Sequence, residues 1–280
     1  MSSSDGRRRR PRARVPLAVA VAIPLAIQGA AAEDLAGYWP GGAAGAVSLA
    51  FDDGMPSQLD RAAPLLDRLS LRATFYVNPG VSVDWAKNLD RWRRLAAAGH
   101  EIGNHTDRHP CSCHNTFRKE EDYCLERLEM SEIVRSIEDA NRLLQELLPT
   151  GRAPATFAYP CYESFIGSGT GRRSYVPEVA RRFLAGRAGE DRANDPRIVD
   201  LAHLYGFTAD TFSADRLVEA IDRAVAKGFW AIIVYHGIGA EWNRVEVADL
   251  EKVLRHLAAR RDRIWTATVG DVAAHIAIRR

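Results

Sequence analysis

Two aspartates, Asp52 and Asp53, close the apolar run 46–51, and the pattern His105-Thr106-Asp107-Arg108-His109 follows further along the chain. Histidines at i and i+4 share one face of a helical turn and can reach the same ion. Adjacent carboxylates at a poorly solvated strand end are costly unless a cation compensates them. Asp53, His105 and His109 therefore read as three ligands of an open metal site, the arrangement of a hydrolytic rather than a structural metal, and Asp52 is left over as a base. Such a metal polarises an acyl carbonyl and acidifies water, a free carboxylate takes the water proton, and an imidazole protonates the leaving group. His236 follows the most apolar of the strand-like runs, 230–235, so its imidazole should emerge at the rim. Each piece has a plainer reading. Asp52-Asp53-Gly54 is good turn chemistry, histidines four apart occur by chance, and a histidine at a strand end is often a core residue satisfied by a carbonyl.

Something must bring these distant stretches together. Strand-like and helix-like segments alternate from residue 46 to the end, which predicts an α/β protein with a largely parallel sheet. Strands are expected at 47–51, 73–77, 101–103, 156–159, 230–235 and 264–268. Helices are expected at 58–69, 85–98, 131–148 with Ser131 as N-cap, 176–184, 214–227, 247–258 and 269–278. Residues 164–200, rich in glycine and arginine, give no clear pattern beyond the helix at 176–184. Six or seven βα units fit a closed barrel as well as an open doubly wound sheet. Either way functional residues collect at the C-terminal ends of the strands, where Asp52-Asp53, His105, Tyr159-Pro160 and His236 all fall.

The 280 residues, 46% hydrophobic and 26% charged, suit a globular chain. Residues 1–32 carry six arginines, then the mostly apolar stretch 15–27, then Ala30-Ala31-Ala32, and are expected to be a signal peptide cleaved after Ala32. The stretch is short of the roughly 20 residues of a membrane-spanning helix, and Pro16 and Pro24 interrupt it. The arginine run also permits a twin-arginine route. The expectation is a secreted or periplasmic protein, touching membrane only through its export segment, with residues 33–280 as one domain. Those first residues hold six arginines and one aspartate, so the formal charge of +2 becomes −3 without them. A mildly acidic chain lacks the footprint of a nucleic-acid binder. The four cysteines, Cys111, Cys113, Cys124 and Cys161, suit disulfides in an exported protein, with three pairings open. A competing reading gathers Cys111, Cys113, His114 and Cys124 around a structural zinc, although the one-residue gap is tight for it. Otherwise His114, like His100, His203, His256 and His275, reads as a surface or helix residue. Nothing in the sequence sets an oligomeric state.

Four segments together, Ser48-Leu49-Ala50-Phe51-Asp52-Asp53-Gly54, His105 to His109, Phe157-Ala158-Tyr159-Pro160 and Ile233-Val234-Tyr235-His236, resemble the polysaccharide deacetylases, the NodB-homology family of carbohydrate esterases. The resemblance spans about residues 46 to 275. It implies a distorted (β/α) barrel with about seven strands, and a divalent ion, usually zinc, on Asp53, His105 and His109. It also implies removal of N- or O-acetyl groups from a poly- or oligosaccharide, with Asp52 as general base and His236 as general acid. The turn Tyr159-Pro160-Cys161 would supply the oxyanion donor, nominated as the Cys161 main-chain N–H. Trp242 is a candidate sugar-stacking platform, with simple packing as the alternative. Two positions depart from the family pattern: an arginine that orients the base in many members is here Ala158, and the aromatic residue after the proline is Cys161. Rival readings are a catalytically idle carbohydrate-binding relative and a hydrolase of a small non-sugar amide.

Overall fold

The computed structural model describes residues 35–115, 123–149 and 151–280. The expected signal peptide lies outside them. Among the described residues no helix is long and apolar enough to cross a membrane.

Seven parallel strands close on themselves: β1 (Gly45–Asp52), β2 (Thr74–Val77), β3 (Glu101–Asn104), β4 (Thr156–Ala158), β5 (Ala185–Glu190), β6 (Leu204–Thr208) and β7 (Trp230–Tyr235), with β7 pairing back onto β1. The distorted barrel expected from the sequence is thus borne out. Its distortion has a visible source. A short eighth strand, β8 (Ile264–Thr266), pairs with Gly45–Val47, whereas β2 pairs with Ala50–Asp52. With β7 along its other edge, β1 shares one edge between two partners, β8 at the base and β2 toward the strand C-termini.

Strand alternation divides the apolar residues into an outer and an inner set. Val47, Leu49, Phe51, Phe75, Val77, Ile233 and Tyr235 face outward into the sheath of helices. Ala46, Ala50, Tyr76, Ala158, Ile232 and Val234 fill the interior. The helices are α1 (Ala63–Arg68), α2 (Trp85–Ala97), α3 (Met130–Gln145), α4 (Val176–Arg182), α5 (Ala214–Ala226), α6 (Val247–Ala258) and α7 (Val269–Arg279). Trp39 closes the base, its indole N–H donating to the Gly228 carbonyl at 2.9 Å and its ring stacked on His275. His100 is buried, not superficial, and accepts the Ala73 amide through Nδ1.

Several expectations are corrected. The N-cap of α3 is Glu129, not Ser131, because Glu129 and Glu132 form a reciprocal capping box. The predicted helix 58–69 begins as a π-helical turn, Gln58–Ala62, before α1. The unpatterned region 164–200 holds β5, and β6 follows it. Both read poorly because their residues, Ala185-Gly186-Arg187-Ala188-Gly189-Glu190 and Leu204-Tyr205-Gly206-Phe207-Thr208, include glycines and a charged interior residue in place of an apolar alternation.

Candidate active site

The C-terminal rim of the barrel carries a cavity of about 390 Å³ whose lining includes Asp52, Asp53, His105, His109, Cys161, His236 and Trp242. Asp53 follows β1 in a left-handed conformation, φ 75°, which a non-glycine residue adopts only where its surroundings impose it. That twist separates the neighbours: Asp52 points into the barrel and Asp53 across the rim. Asn78 donates to Asp53 Oδ1 at 3.2 Å, and Ser82 Oγ donates to the Asp53 carbonyl and to Asn78.

His105 and His109 meet there, but not on a helical turn as the i, i+4 spacing suggests. Residues 105–109 form a loop with Thr106 and His109 both left-handed. Side chains replace the helical ladder: Asn104 Oδ1 accepts from the Thr106 amide, Thr106 Oγ1 from the His109 amide, and Ser136 of α3 from the amides of Asp107 and Arg108. His105 Nδ1 lies 2.8 Å from the Ala158 carbonyl, so it carries the proton and Nε2 is turned to the site.

The three donor atoms form a compact triangle. His105 Nε2 and His109 Nε2 are 3.1 Å apart, and they lie 3.5 and 3.1 Å from Asp53 Oδ1. Ligands about 2.0–2.1 Å from a tetrahedral ion stand about 3.3 Å from one another, so the spacing of these three donors would suit a zinc-sized cation. Burial alone would raise the Asp53 carboxyl, but the two imidazoles hold it well below the usual carboxylate range. Burial pushes His105 down against the pull of Asp53, favouring the neutral, ligating imidazole.

Asp52 is buried, and the arginine that Ala158 seemed to lack is present one strand away. Ala158 on β4 is in register with Arg187 on β5, and the small side chain of Ala158 leaves that part of the interior to the long one. Arg187 is fully buried, and its Nη2 lies 2.5 and 2.6 Å from Asp52 Oδ1 and Oδ2. Its guanidinium also lies over the rings of Tyr76 and Tyr162, centroids 5.2 and 5.5 Å away. Gly206 gives it space, since a Cβ there would meet Arg187 Cδ at 3.4 Å and Val234 Cγ2 at 2.9 Å. Sequence reading missed Arg187; the cue was a lone arginine among alanines and glycines.

His236 faces both carboxylates. Its Nε2 is 4.0 Å from Asp52 Oδ2, and its Nδ1 is 3.6 Å from Asp210 Oδ1, longer than a formed hydrogen bond. Burial would lower its pKa, but Asp210, Asp53 and Asp52 together raise it. Asp210 was not foreseen either. Gln58 spans the ends of β1 and β7, its amide nitrogen donating to the carbonyls of Asp52 at 2.5 Å and His236 at 3.1 Å. Gly237 is required next, because a Cβ would strike the Ala240 carbonyl oxygen at 2.1 Å as the chain folds back toward Trp242.

The Tyr159 ring is buried against Phe157 and Tyr175 with its hydroxyl donating to the Ala202 carbonyl, and Pro160 is buried too. Neither is among the cavity-lining residues, so this turn presents Cys161 and Tyr162 instead, both left-handed. The cysteines pair as Cys111–Cys161 and Cys113–Cys124, which removes the structural-zinc reading of Cys111, Cys113, His114 and Cys124. Trp242 is 43% exposed at the cavity mouth.

A closed β/α barrel with a carboxylate, two imidazoles and a second, buried carboxylate at its rim defines a class, and comparison with known proteins agrees. Residues 41–164 match the model of the polysaccharide deacetylase family, which bears out the resemblance read from the motifs. Over 68 residues, 24% of this chain, the sequence is 37% identical to a chitin deacetylase of Colletotrichum lindemuthianum, and the match spans 27% of that protein. A family 4 acetyl xylan esterase from Clostridium thermocellum in complex with a cobalt ion shares the fold with TM-score 0.52 and 23% identity, over 81% of this chain and 90% of that one. PuuE allantoinase shares it with TM-score 0.59 and 18% identity, over 91% and 97%.

Proposed function

We propose that this chain is a metal-dependent deacetylase that hydrolyses acetyl groups on an acetylated glycan, exported through its arginine-rich N-terminal segment. The observation that carries the reading is the donor triangle of Asp53, His105 and His109 beside a second carboxylate, Asp52, and a protonatable imidazole, His236. The match to the polysaccharide deacetylase family and the likeness to a chitin deacetylase support the substrate class, and the two disulfides suit an oxidising compartment.

Asp53 Oδ1, His105 Nε2 and His109 Nε2 would hold a divalent cation, with zinc the best match to two imidazoles and a carboxylate. When bound, the cation supplies Lewis acidity toward the acetyl carbonyl and lowers the pKa of water. Asp52, fixed by Arg187, takes the water proton. The Cys161 main-chain N–H donates to the developing oxyanion. His236, its Nδ1 side toward Asp210, delivers a proton from Nε2 to the leaving amine or alcohol. A base and an acid together distinguish an enzyme from an idle sugar-binding relative, which needs neither. Trp242 offers a half-exposed ring to a sugar face.

The likeness to an allantoinase keeps one second reading, a small cyclic amide in the same site. The test is acetate release from acetylated chitooligosaccharides, peptidoglycan and xylan, with ring opening of allantoin alongside, with and without a chelator, in wild type and Asp52→Asn. The expected result is chelator-sensitive acetate release that falls by about 10²–10⁴ in Asp52→Asn. Ring opening without acetate release would replace the glycan reading, and metal binding without any turnover would favour the binding-only relative.

A further inference from the structure

We infer that the Cys111–Cys161 disulfide is a positioning element of the reaction, setting the distance between the metal-ligating imidazole of His109 and the oxyanion-donating Cys161 amide; this rests on the metal-dependent reading above. Both cysteines line the cavity, and Cys113 and Cys124 do not. Cys111 stands two residues after His109, its Sγ 3.7 Å from His109 Nδ1, on the side of the ring away from Asp53. Cys161 is itself the residue whose main-chain N–H is the nominated donor. The bond therefore joins the two halves of the machinery directly.

The sheet does not hold these halves together. β3 and β4 share a single registered pair, Asn104 with Phe157, and beyond it the link between the two strand ends is a side chain, His105 Nδ1 on the Ala158 carbonyl. Past that point each segment runs through left-handed residues, Thr106 and His109 on one side, Cys161 and Tyr162 on the other. Ser136 anchors the first segment from the helix side. On the cavity side the disulfide, with Asn115 Nδ2 3.4 Å from Cys161 Sγ, spans the gap. Its sequence separation of 50 means that no local turn substitutes for it, whereas Cys113–Cys124, separated by 11, closes only its own excursion.

The experiment compares wild type with Cys111→Ser/Cys161→Ser and with Cys113→Ser/Cys124→Ser. Zinc affinity is measured by competition with a chromophoric chelator, and kcat and KM on an acetylated chitooligosaccharide at saturating zinc, below the melting temperature of every variant. The first double variant is expected to bind zinc at least tenfold more weakly and to lose at least tenfold in kcat with KM little changed. The second is expected to melt earlier but to keep both parameters within twofold. Where the first variant does not fold, folded Cys113→Ser/Cys124→Ser protein is reduced with a phosphine. The bond then takes up two electrons and two protons, the phosphine becomes its oxide at the expense of water, and the thiols are alkylated before the same measurements, with the same losses expected. Unchanged zinc affinity and kcat without Cys111–Cys161, or equal losses in both double variants, would overturn the inference. Zinc binding without acetate release from wild type would sink the deacetylase reading alone, and the affinities would still decide the clamp.

Discussion

Arg187 reaches across the barrel interior from β5 to place Nη2 2.5 and 2.6 Å from the two carboxylate oxygens of Asp52 on β1. Neither residue sees solvent to any extent that matters: Arg187 is 0% and Asp52 1% exposed. A buried ion pair of this kind adds little net stability, because desolvation offsets the attraction, but breaking it leaves a bare charge.

Arg187→Met should therefore cost about 3–5 kcal/mol of stability, read from denaturant unfolding, as well as most of the activity. Because Ala158 is the register partner of Arg187, the exchange Ala158→Arg/Arg187→Ala returns a guanidinium to the same interior layer. It is expected to recover at least part of the turnover that Arg187→Ala loses. No recovery, with the fold intact, would show that the base needs the approach from β5.

The pH profile should carry the mark of Asp210. His236 has a raised pKa, so its protonated, acid-competent form persists above the ordinary histidine value of about 6.5 and is lost as pH rises through the raised value. Asp210→Asn removes one of the groups that raise it, so the alkaline limb of kcat should move to lower pH. The same sign holds for stability: the favourable charge of His236 is fully present below the unfolded pKa and fades on the alkaline side. An alkaline limb unmoved in Asp210→Asn would assign that limb to another group.

Replacing any one of Asp53, His105 or His109 by alanine leaves two donors where the triangle had three. Each variant should bind zinc far more weakly than wild type and show the turnover of the chelated protein. Asn78→Ala, which removes only the hydrogen bond to Asp53 Oδ1, should weaken zinc by about 10–100-fold, the usual cost of losing a partner that orients a ligand. Metal titration followed by calorimetry checks both.

Trp242→Ala should raise KM for a glycan by about tenfold, equivalent to about 1.4 kcal/mol, with kcat changed little. Its ring lies at the mouth, away from the reacting groups. Loss of kcat instead would mean that the tryptophan supports the His236 loop.

Sequence motifs were enough to nominate the three candidate ligands, the base and the acid, because the aspartates and His236 close apolar strands whose pattern is local and the two histidines stand only four residues apart. The helices Trp85–Ala97 and Val247–Ala258 were legible for the same reason: their apolar spacing repeats every turn. Arg187 and Asp210 were not, since they lie on elements whose glycines and polar residues carry no such period. Their partners are 135 residues away in one case and on a different strand in the other.

What the sequence by itself determined is the set of chemically competent side chains and the alternation that gathers strand ends on one rim. What only the tertiary structure decided is which groups touch. The cysteine pairing, the move of the guanidinium from β4 to β5, and the loop that brings His105 to His109 depend on closing the barrel. Closure juxtaposes residues by strand register, and register between distant strands leaves no local trace in the order of the residues.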